Sequence, residues 1–350
     1  MASFDVFWPE IASHLDRTLT PVEHDHWLRQ FLRFIPASTS EFLGFETRLG
    51  DRNGPTDCAL NLNPAALEWL AGRTAGIAAP TGPVWDNIRS FLELWSATSA
   101  SPGADLTRIW LEFDQASAPQ MLPNLMFGYF PGGHDPMRTR EWLVDRAIPA
   151  ALGTPLPDPT RARLEAGLDC CGGADDLQIG LMSARAIPAV RLCVFDLAPE
   201  ALPRLARAIG WDGDVSHVAV LVEALRPHAD FVGLHFDIAH TALPRIGIEP
   251  GFTASSWARQ PHREPRWQGQ LDVFAAEGAL VPEKRDALLE WPGHEVVTLD
   301  TRPVALLRGL SHLKLVFQGD GSTEGKAYYG IAIRDLAQGN DTATSDAVAA

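Results

Sequence analysis

The sequence predicts one α/β domain: a ten-stranded antiparallel β-barrel with a polar lumen, surrounded by helices. Three observations predict it. Strand-like segments come in pairs joined by short loops, and short loops join antiparallel neighbours. Each pair but the last is followed by stretches of helical period, with room for two helices. Several strands carry apolar residues on one face and charges on the other. Ten antiparallel strands leave edges to manage, and closing the sheet on itself removes them.

The 350 residues are 46% hydrophobic and 21% charged, enough apolar matter for a core. A net charge of -15 argues against a broad basic face, so no nucleic-acid partner is expected. No run of about 18 apolar residues occurs, so no membrane insertion is expected. Cys58, Cys170, Cys171 and Cys193 form no Cys-x-x-Cys pair, and the first residues lack the pattern of a secretory signal. Reduced thiols in a cytoplasmic protein are the expectation.

Residues 1–40 read as a helical N-terminal segment, with a helix over 21–32. The barrel is expected over 41–334 and a flexible tail over 335–350. The first strand pair is 41–49 and 57–62, followed by helices at 64–72 and 83–97. The second pair is 106–114 and 124–130, with helices at 137–152 and 160–168. The third is 177–184 and 189–197, with helices at 199–209 and 215–225. The fourth is 231–239 and 244–249, with helices at 267–277 and 282–291. The last pair is 312–317 and 325–333. The strands are placed by alternation and by β-branched or aromatic enrichment. Pro64, Pro83, Pro199 and Pro282 stand where a first helical turn tolerates proline. One helix between single strands, the pattern of a parallel α/β barrel, does not fit. No G-x-G-x-x-G opens a dinucleotide fold.

Residues two apart share a strand face. In 106–114, Ile109, Leu111 and Phe113 face the helices, which turns Arg108, Trp110, Glu112 and Asp114 inward. In 231–239 the inward set is Gly233, His235 and Asp237; in 244–249 it is Arg245, Gly247 and Glu249. His312, Lys314 and Val316 follow in the next strand, and Lys326, Tyr328 and Gly330 share a face of the last. One phase of the first strand puts Phe42, Gly44, Glu46 and Arg48 inside. Buried charges are costly unless paired, so these groups pair with one another, line a wet cavity, or lie on a solvated sheet face.

This order of elements resembles the ABBA barrel of soluble aromatic prenyltransferases, which is built from five αββα units around a solvent-filled centre. Lys326-x-Tyr328 is similar to a motif on strands of that family. The resemblance spans residues 40–333 and implies transfer of an isoprenoid from a prenyl diphosphate to an aromatic or other nucleophilic acceptor, a small molecule or a peptide side chain. Under it, Arg108, Arg245, Lys314, Lys326 and Tyr328 would hold the diphosphate, with Arg191 a further candidate. Phe42, Trp110, His235 and the Tyr328 ring would line the substrate site, aromatic faces stabilising an allylic cation. Glu112, Asp237, Glu249 or Glu46 would take the acceptor's proton, Glu112 first because it shares a face with Trp110 and Arg108. With three tyrosines in the chain, the repeated Lys-x-Tyr pattern is mostly missing. No Asp-Asp-x-x-Asp motif is present to carry a metal-held diphosphate; no resident metal is expected, with magnesium an optional companion of the substrate. Two other readings use the same residues. One is a non-catalytic barrel that binds a peptide or small ligand. The other is a non-haem iron oxygenase with His235, Asp237 and His294 as ligands.

Overall fold

Alternation along each strand decides which face meets the helices. In the computed structural model, β1 (Phe42–Arg48), β2 (Thr56–Asn61), β3 (Leu106–Phe113), β4 (Asn124–Tyr129), β5 (Leu177–Leu181), β6 (Val190–Val194), β7 (Phe231–Ile238) and β8 (Ala242–Gly251) each pair antiparallel with the next. Beyond them lie β9 (Gly293–Leu299), β10 (Arg302–Phe317) and β11 (Thr323–Asp335). β8 pairs with β10, β10 with β11, and β11 returns to β1, closing a ten-stranded barrel. The structure describes residues 3–40, 42–74, 76–96, 106–129, 136–171, 177–253, 258–299 and 302–336. The tail predicted over 335–350 falls mostly outside these residues.

β9 and the first half of β10 were not expected as strands. β10 holds β8 through residues 315–317 and β9 through residues 302–308. The gap between them is bridged by a side chain. Gln260 donates to the Leu310 carbonyl (2.9 Å) and accepts from the Leu310 N–H (2.8 Å), doing the work of a neighbouring strand. The register of β10 slips at Ser311. Val304, Leu306 and Leu310 are buried before it, Leu313 and Leu315 after it, so the apolar phase flips mid-strand.

The helices are α1 (Trp8–His14), α2 (Asp25–Phe34), α3 (Pro64–Leu70), α4 (Pro83–Ser96), α5 (Pro136–Trp142), α6 (Ile148–Leu152), α7 (Asp158–Cys170), α8 (Leu202–Ile209), α9 (Val215–Leu225), α10 (Arg266–Ala276) and α11 (Pro282–Glu290). Asn63 caps α3 by accepting from the Ala65 N–H, and Asp214 caps α9 through the His217 N–H. The helix expected over 137–152 is interrupted by a π turn at Leu143–Ala147, where Pro149 has no N–H to give to the residue four back. α2 locks onto the wall: Phe31 packs edge-on against Phe113 at 4.9 Å, and the Trp27 indole N–H donates to the Thr56 carbonyl at 3.0 Å. No helix among the described residues is long and apolar enough to cross a membrane.

Two apolar clusters follow from this layout. The larger lies between strands and helices and takes in Leu60, Leu111, Phe127, Ile179, Leu192 and Phe236. The smaller lies inside the barrel and joins Met126, Met182, Ala189, Cys193 and Phe195. The rest of the lumen mixes charged side chains with aromatic rings.

Candidate active site

The inward faces of the strands enclose two adjoining chambers. The larger is lined by aromatic rings (Phe42, Trp110, Tyr328), carboxylates (Glu46, Asp57, Glu112, Asp114, Glu249), Met126, Gln178, His235, His312 and Lys314, among others. The smaller is lined by Arg185, Arg191, Arg245, Lys314, Lys326, Asp237, His235 and Tyr328, with Gly247 and Val316. His235, Lys314 and Tyr328 border both.

Five cations and one carboxylate line the smaller chamber, and three of the cations, all arginines, meet that carboxylate. Arg191 grips Asp237 with two parallel bonds, Nε to Oδ1 at 2.7 Å and Nη2 to Oδ2 at 3.0 Å. Arg245 adds Nη2 to Oδ2 at 2.6 Å, and Arg185 Nη1 stands 3.7 Å away, buried without a hydrogen bond. Burial alone would raise the Asp237 carboxyl; the guanidiniums, Arg191 foremost, hold it well below the usual range. These residues come together because Arg191 on β6 is directly opposite Asp237 on β7, with Arg245 across the turn on β8.

A second network spans β1, β2 and β11. Glu46 faces Tyr328 on one side and Asp57 on the other, and Arg48 faces Lys326. Lys326 Nζ donates to Glu46 Oε1 at 2.8 Å, and Arg48 Nη1 bridges Glu46 (2.5 Å) and Asp57 (2.6 Å). Burial would raise Glu46, but Lys326 and Arg48 keep it ionised well below the usual range. Asp57 is pushed the other way, up to about 6, by burial and by the Glu46 charge.

Between the two lies a histidine relay. The Cys193 thiol, kept protonated by burial, sits 3.2 Å from His235 Nδ1, so it donates there and leaves the proton on Nε2. That Nε2 is 3.0 Å from Glu249 Oε2, though poorly aligned for a hydrogen bond. His312 stacks on Tyr328 at 4.0 Å, and Lys314 stands 4.8 Å over the same ring and 3.6 Å from Glu249. Burial lowers both histidines to about 4, so both are neutral at pH 7. Glu112 makes no hydrogen bond or salt bridge to the described residues, and burial raises its carboxyl against the pull of Arg191 and Lys314.

NotF prenyltransferase in complex with brevianamide F and DMSPP matches with a TM-score of 0.51 at 9% identity, over 93% of this chain and 92% of that one. The chain has the ABBA prenyltransferase-barrel fold. A 6-dimethylallyltryptophan synthase from Micromonospora olivasterospora, in complex with DMASPP and Trp, aligns over 94% of this chain and 97% of that one, with 13% identity and a TM-score of 0.47. AnaPT from Neosartorya fischeri aligns over 94% and 92%, with 10% identity and a TM-score of 0.44. No family model matches the chain, and no curated protein matches its sequence.

Within this ABBA barrel, most of the residues singled out from the sequence converge. Phe42, Glu46, Trp110, Glu112 and Glu249 line the larger chamber, Asp237, Arg245 and Lys326 the smaller, and His235, Lys314 and Tyr328 both. Arg108 does not join them. β3 bulges between Thr107 and Ile109, Arg108 adopts a left-handed backbone (φ 47°), and it falls out of the alternation that would aim it inward. The three residues of the iron reading do not meet either. Asp237 is taken up by arginines, and His294 lies exposed on β9 opposite Leu307. No group of three His, Cys, Asp or Glu among the described residues could hold a metal ion. Sequence reasoning passed over Arg185 and Asp57. Arg185 lies in the loop between β5 and β6, where no alternation gives a direction. Asp57 opens the inward set of β2 (Asp57, Ala59, Asn61), a phase visible only from its pairing with Glu46.

Proposed function

We propose that this barrel transfers an isoprenoid from a prenyl diphosphate to an aromatic or other electron-rich acceptor, a small molecule or a peptide side chain. The observation that carries the reading is the junction of the chambers: five cations open onto aromatic rings and carboxylates across His235, Lys314 and Tyr328. A diphosphate in the smaller chamber would meet Arg185, Arg191, Arg245, Lys314 and Lys326. Its prenyl chain would point past Tyr328 into the larger one. Heterolysis of the C–O bond sends the electron pair to the diphosphate, where the cations stabilise it. The allylic cation left behind faces Tyr328, Trp110 and Phe42. The acceptor's nucleophilic carbon or heteroatom then bonds to the allylic carbon, and its proton passes to a carboxylate. Glu112 is the best placed to take it, because it is ionisable, has no side-chain hydrogen bond or salt bridge among the described residues, and lies in the acceptor chamber. Tyr328 is the tyrosine that turns into this lumen; Tyr329 turns out to Thr20 (2.6 Å) and Trp291, and Tyr129 lies in the outer core. The stacked His312 and the indole of Trp110 add ring faces to the same chamber as Tyr328.

Side-chain cations supply charge that a divalent ion would otherwise bring. Magnesium is therefore proposed as an accessory and not a requirement, which turnover in EDTA tests. The reading itself is tested by thermal midpoint with dimethylallyl, geranyl and farnesyl diphosphates against inorganic pyrophosphate. A shift that needs the prenyl chain, and is lost in Arg245→Ala and Lys326→Ala, supports it. No shift with any diphosphate at saturating concentration rejects it. Tight binding without turnover on any acceptor would leave a ligand-binding barrel.

A further inference from the structure

The cation-rich smaller chamber already holds an anion. Asp237 stands among its arginines at 3% exposure, and its two oxygens accept four hydrogen bonds. Arg191 gives Nε to Oδ1 and Nη2 to Oδ2. Arg245 gives Nε (2.9 Å) and Nη2 (2.6 Å) to Oδ2. Both guanidiniums therefore turn to Asp237 an edge with which an arginine can grip a phosphate through two parallel bonds. The other cations of the chamber have their nearest carboxylate in the larger one: Lys326 has Glu46 at 2.8 Å, Arg185 has Asp114 at 3.3 Å and Lys314 has Glu249 at 3.6 Å. Asp237 differs from those carboxylates because it lines the smaller chamber itself, where an incoming anion would lie.

When the C–O bond of a prenyl diphosphate breaks, the electron pair stays on the diphosphate, which then carries one negative charge more than the substrate did. Cations alone would hold that product more tightly than the substrate it came from. A carboxylate fixed among them competes for the same donors and repels the anion, the more highly charged product most. We infer that Asp237 is a resident counter-anion that keeps the chamber's grip on diphosphate loose enough for pyrophosphate to leave. It acts through Arg191 and Arg245 and touches no reacting atom, so it is a positioning residue. The release of a product rests on the transferase reading, whereas the competition between Asp237 and a bound anion does not.

The test is calorimetric titration of inorganic pyrophosphate and of dimethylallyl S-thiolodiphosphate, with pyrophosphate release timed by stopped flow. Three proteins are compared: the parent, Asp237→Asn, and the double variant Asp237→Asn with Arg191→Gln. Asp237→Asn keeps the shape and removes the charge. It should bind pyrophosphate at least about tenfold tighter, gain less for the thiolodiphosphate, and release pyrophosphate more slowly in proportion. The double variant removes one charge of each sign, so its pyrophosphate affinity should return to within about threefold of the parent's. It leaves only the half-buried Arg245 without its carboxylate, and it decides the matter where Asp237→Asn does not fold. Unchanged or weaker pyrophosphate binding in Asp237→Asn would make the carboxylate a brace for the arginines and overturn the inference. So would a larger loss in the double variant, which would show that Arg191 serves the incoming anion directly. A parent that binds neither ligand, beside an Asp237→Asn protein that binds pyrophosphate, would strike the transferase reading and leave the resident anion standing.

Discussion

The two faces of the same strands obey different rules. The outer face is continuous hydrocarbon: Leu60, Leu111, Phe127, Leu192 and Phe236 are all at or near zero exposure against the helices. The inner face is a set of matched charges in which nearly every carboxylate has a named cation, such as Arg191 for Asp237 and Lys326 for Glu46. Dispersion and burial are non-directional, so the outer face tolerates exchange of one apolar shape for another. Pairing is directional, so the inner face holds only while each partner remains. The fold is thus held from outside, and the lumen is free to be specified by chemistry.

The largest expected effect is on the outer face. Phe236→Ala removes a fully buried ring that packs edge-on against Trp211 at 6.1 Å, and should cost about 3–5 kcal/mol in urea unfolding. A cost below about 1 kcal/mol would mean the outer core is loosely packed and the contrast is false. The next effect is inside. Asp237→Asn strands Arg191 and Arg245 without a counter-charge and should cost the empty protein about 3 kcal/mol. Saturating pyrophosphate should then raise the midpoint of this variant more than that of the parent, because the freed guanidiniums meet an anion. An Asp237→Asn protein as stable as its parent would show that the arginines are well solvated.

The difference between the faces also sets what the sequence discloses. Strands such as 231–238 and 106–113 declare themselves because one face is apolar and the other is not. From that alternation the inward placement of His235, Asp237, Glu112 and Trp110 follows, as does the closed barrel. β6 is buried on both faces, so Arg191 gives no phase until its partner Asp237 is seen. β10 hides its first half because the slip at Ser311 inverts the pattern, and Arg108 is misdirected by the bulge in β3. Partners far apart in sequence leave no periodic trace. The Glu46–Lys326 and Arg185–Asp114 pairs are properties of the closed ring, where β11 meets β1 and a loop folds over the end.

Acid should erode the inner face before the outer one. His235 and His312 are buried neutral, with values lowered from 6.5 to about 4. The unfolded chain therefore binds more protons between these limits. Their contribution is complete above pH 6.5 and is lost as pH falls through 4, about 2 kcal/mol for His312 by pH 5. His312→Phe keeps a ring on Tyr328 and removes one titration. Urea midpoints between pH 7 and 4.5 should fall less steeply in this variant. An unchanged slope would mean that His312 takes up its proton without loss of stability, with Glu249 at 3.6 Å as the partner that pays for it.

The smallest effect lies at the seam, where neither rule applies. Gln260 belongs to no strand, yet its amide completes the hydrogen bonding of Leu310 where β10 passes from β8 to β9. Gln260→Leu keeps the bulk and leaves one buried N–H and one buried C=O unpaired, at a cost of about 2 kcal/mol. Because the loss is local, hydrogen exchange should show it first. The Leu310 amide should lose protection, whereas amides of β7, paired on both sides by backbone, should keep theirs. Loss of protection spread evenly around the barrel would mean the seam is part of one cooperative ring. Protection lost at Leu310 alone would mean that the β9–β10 extension opens independently of the chambers.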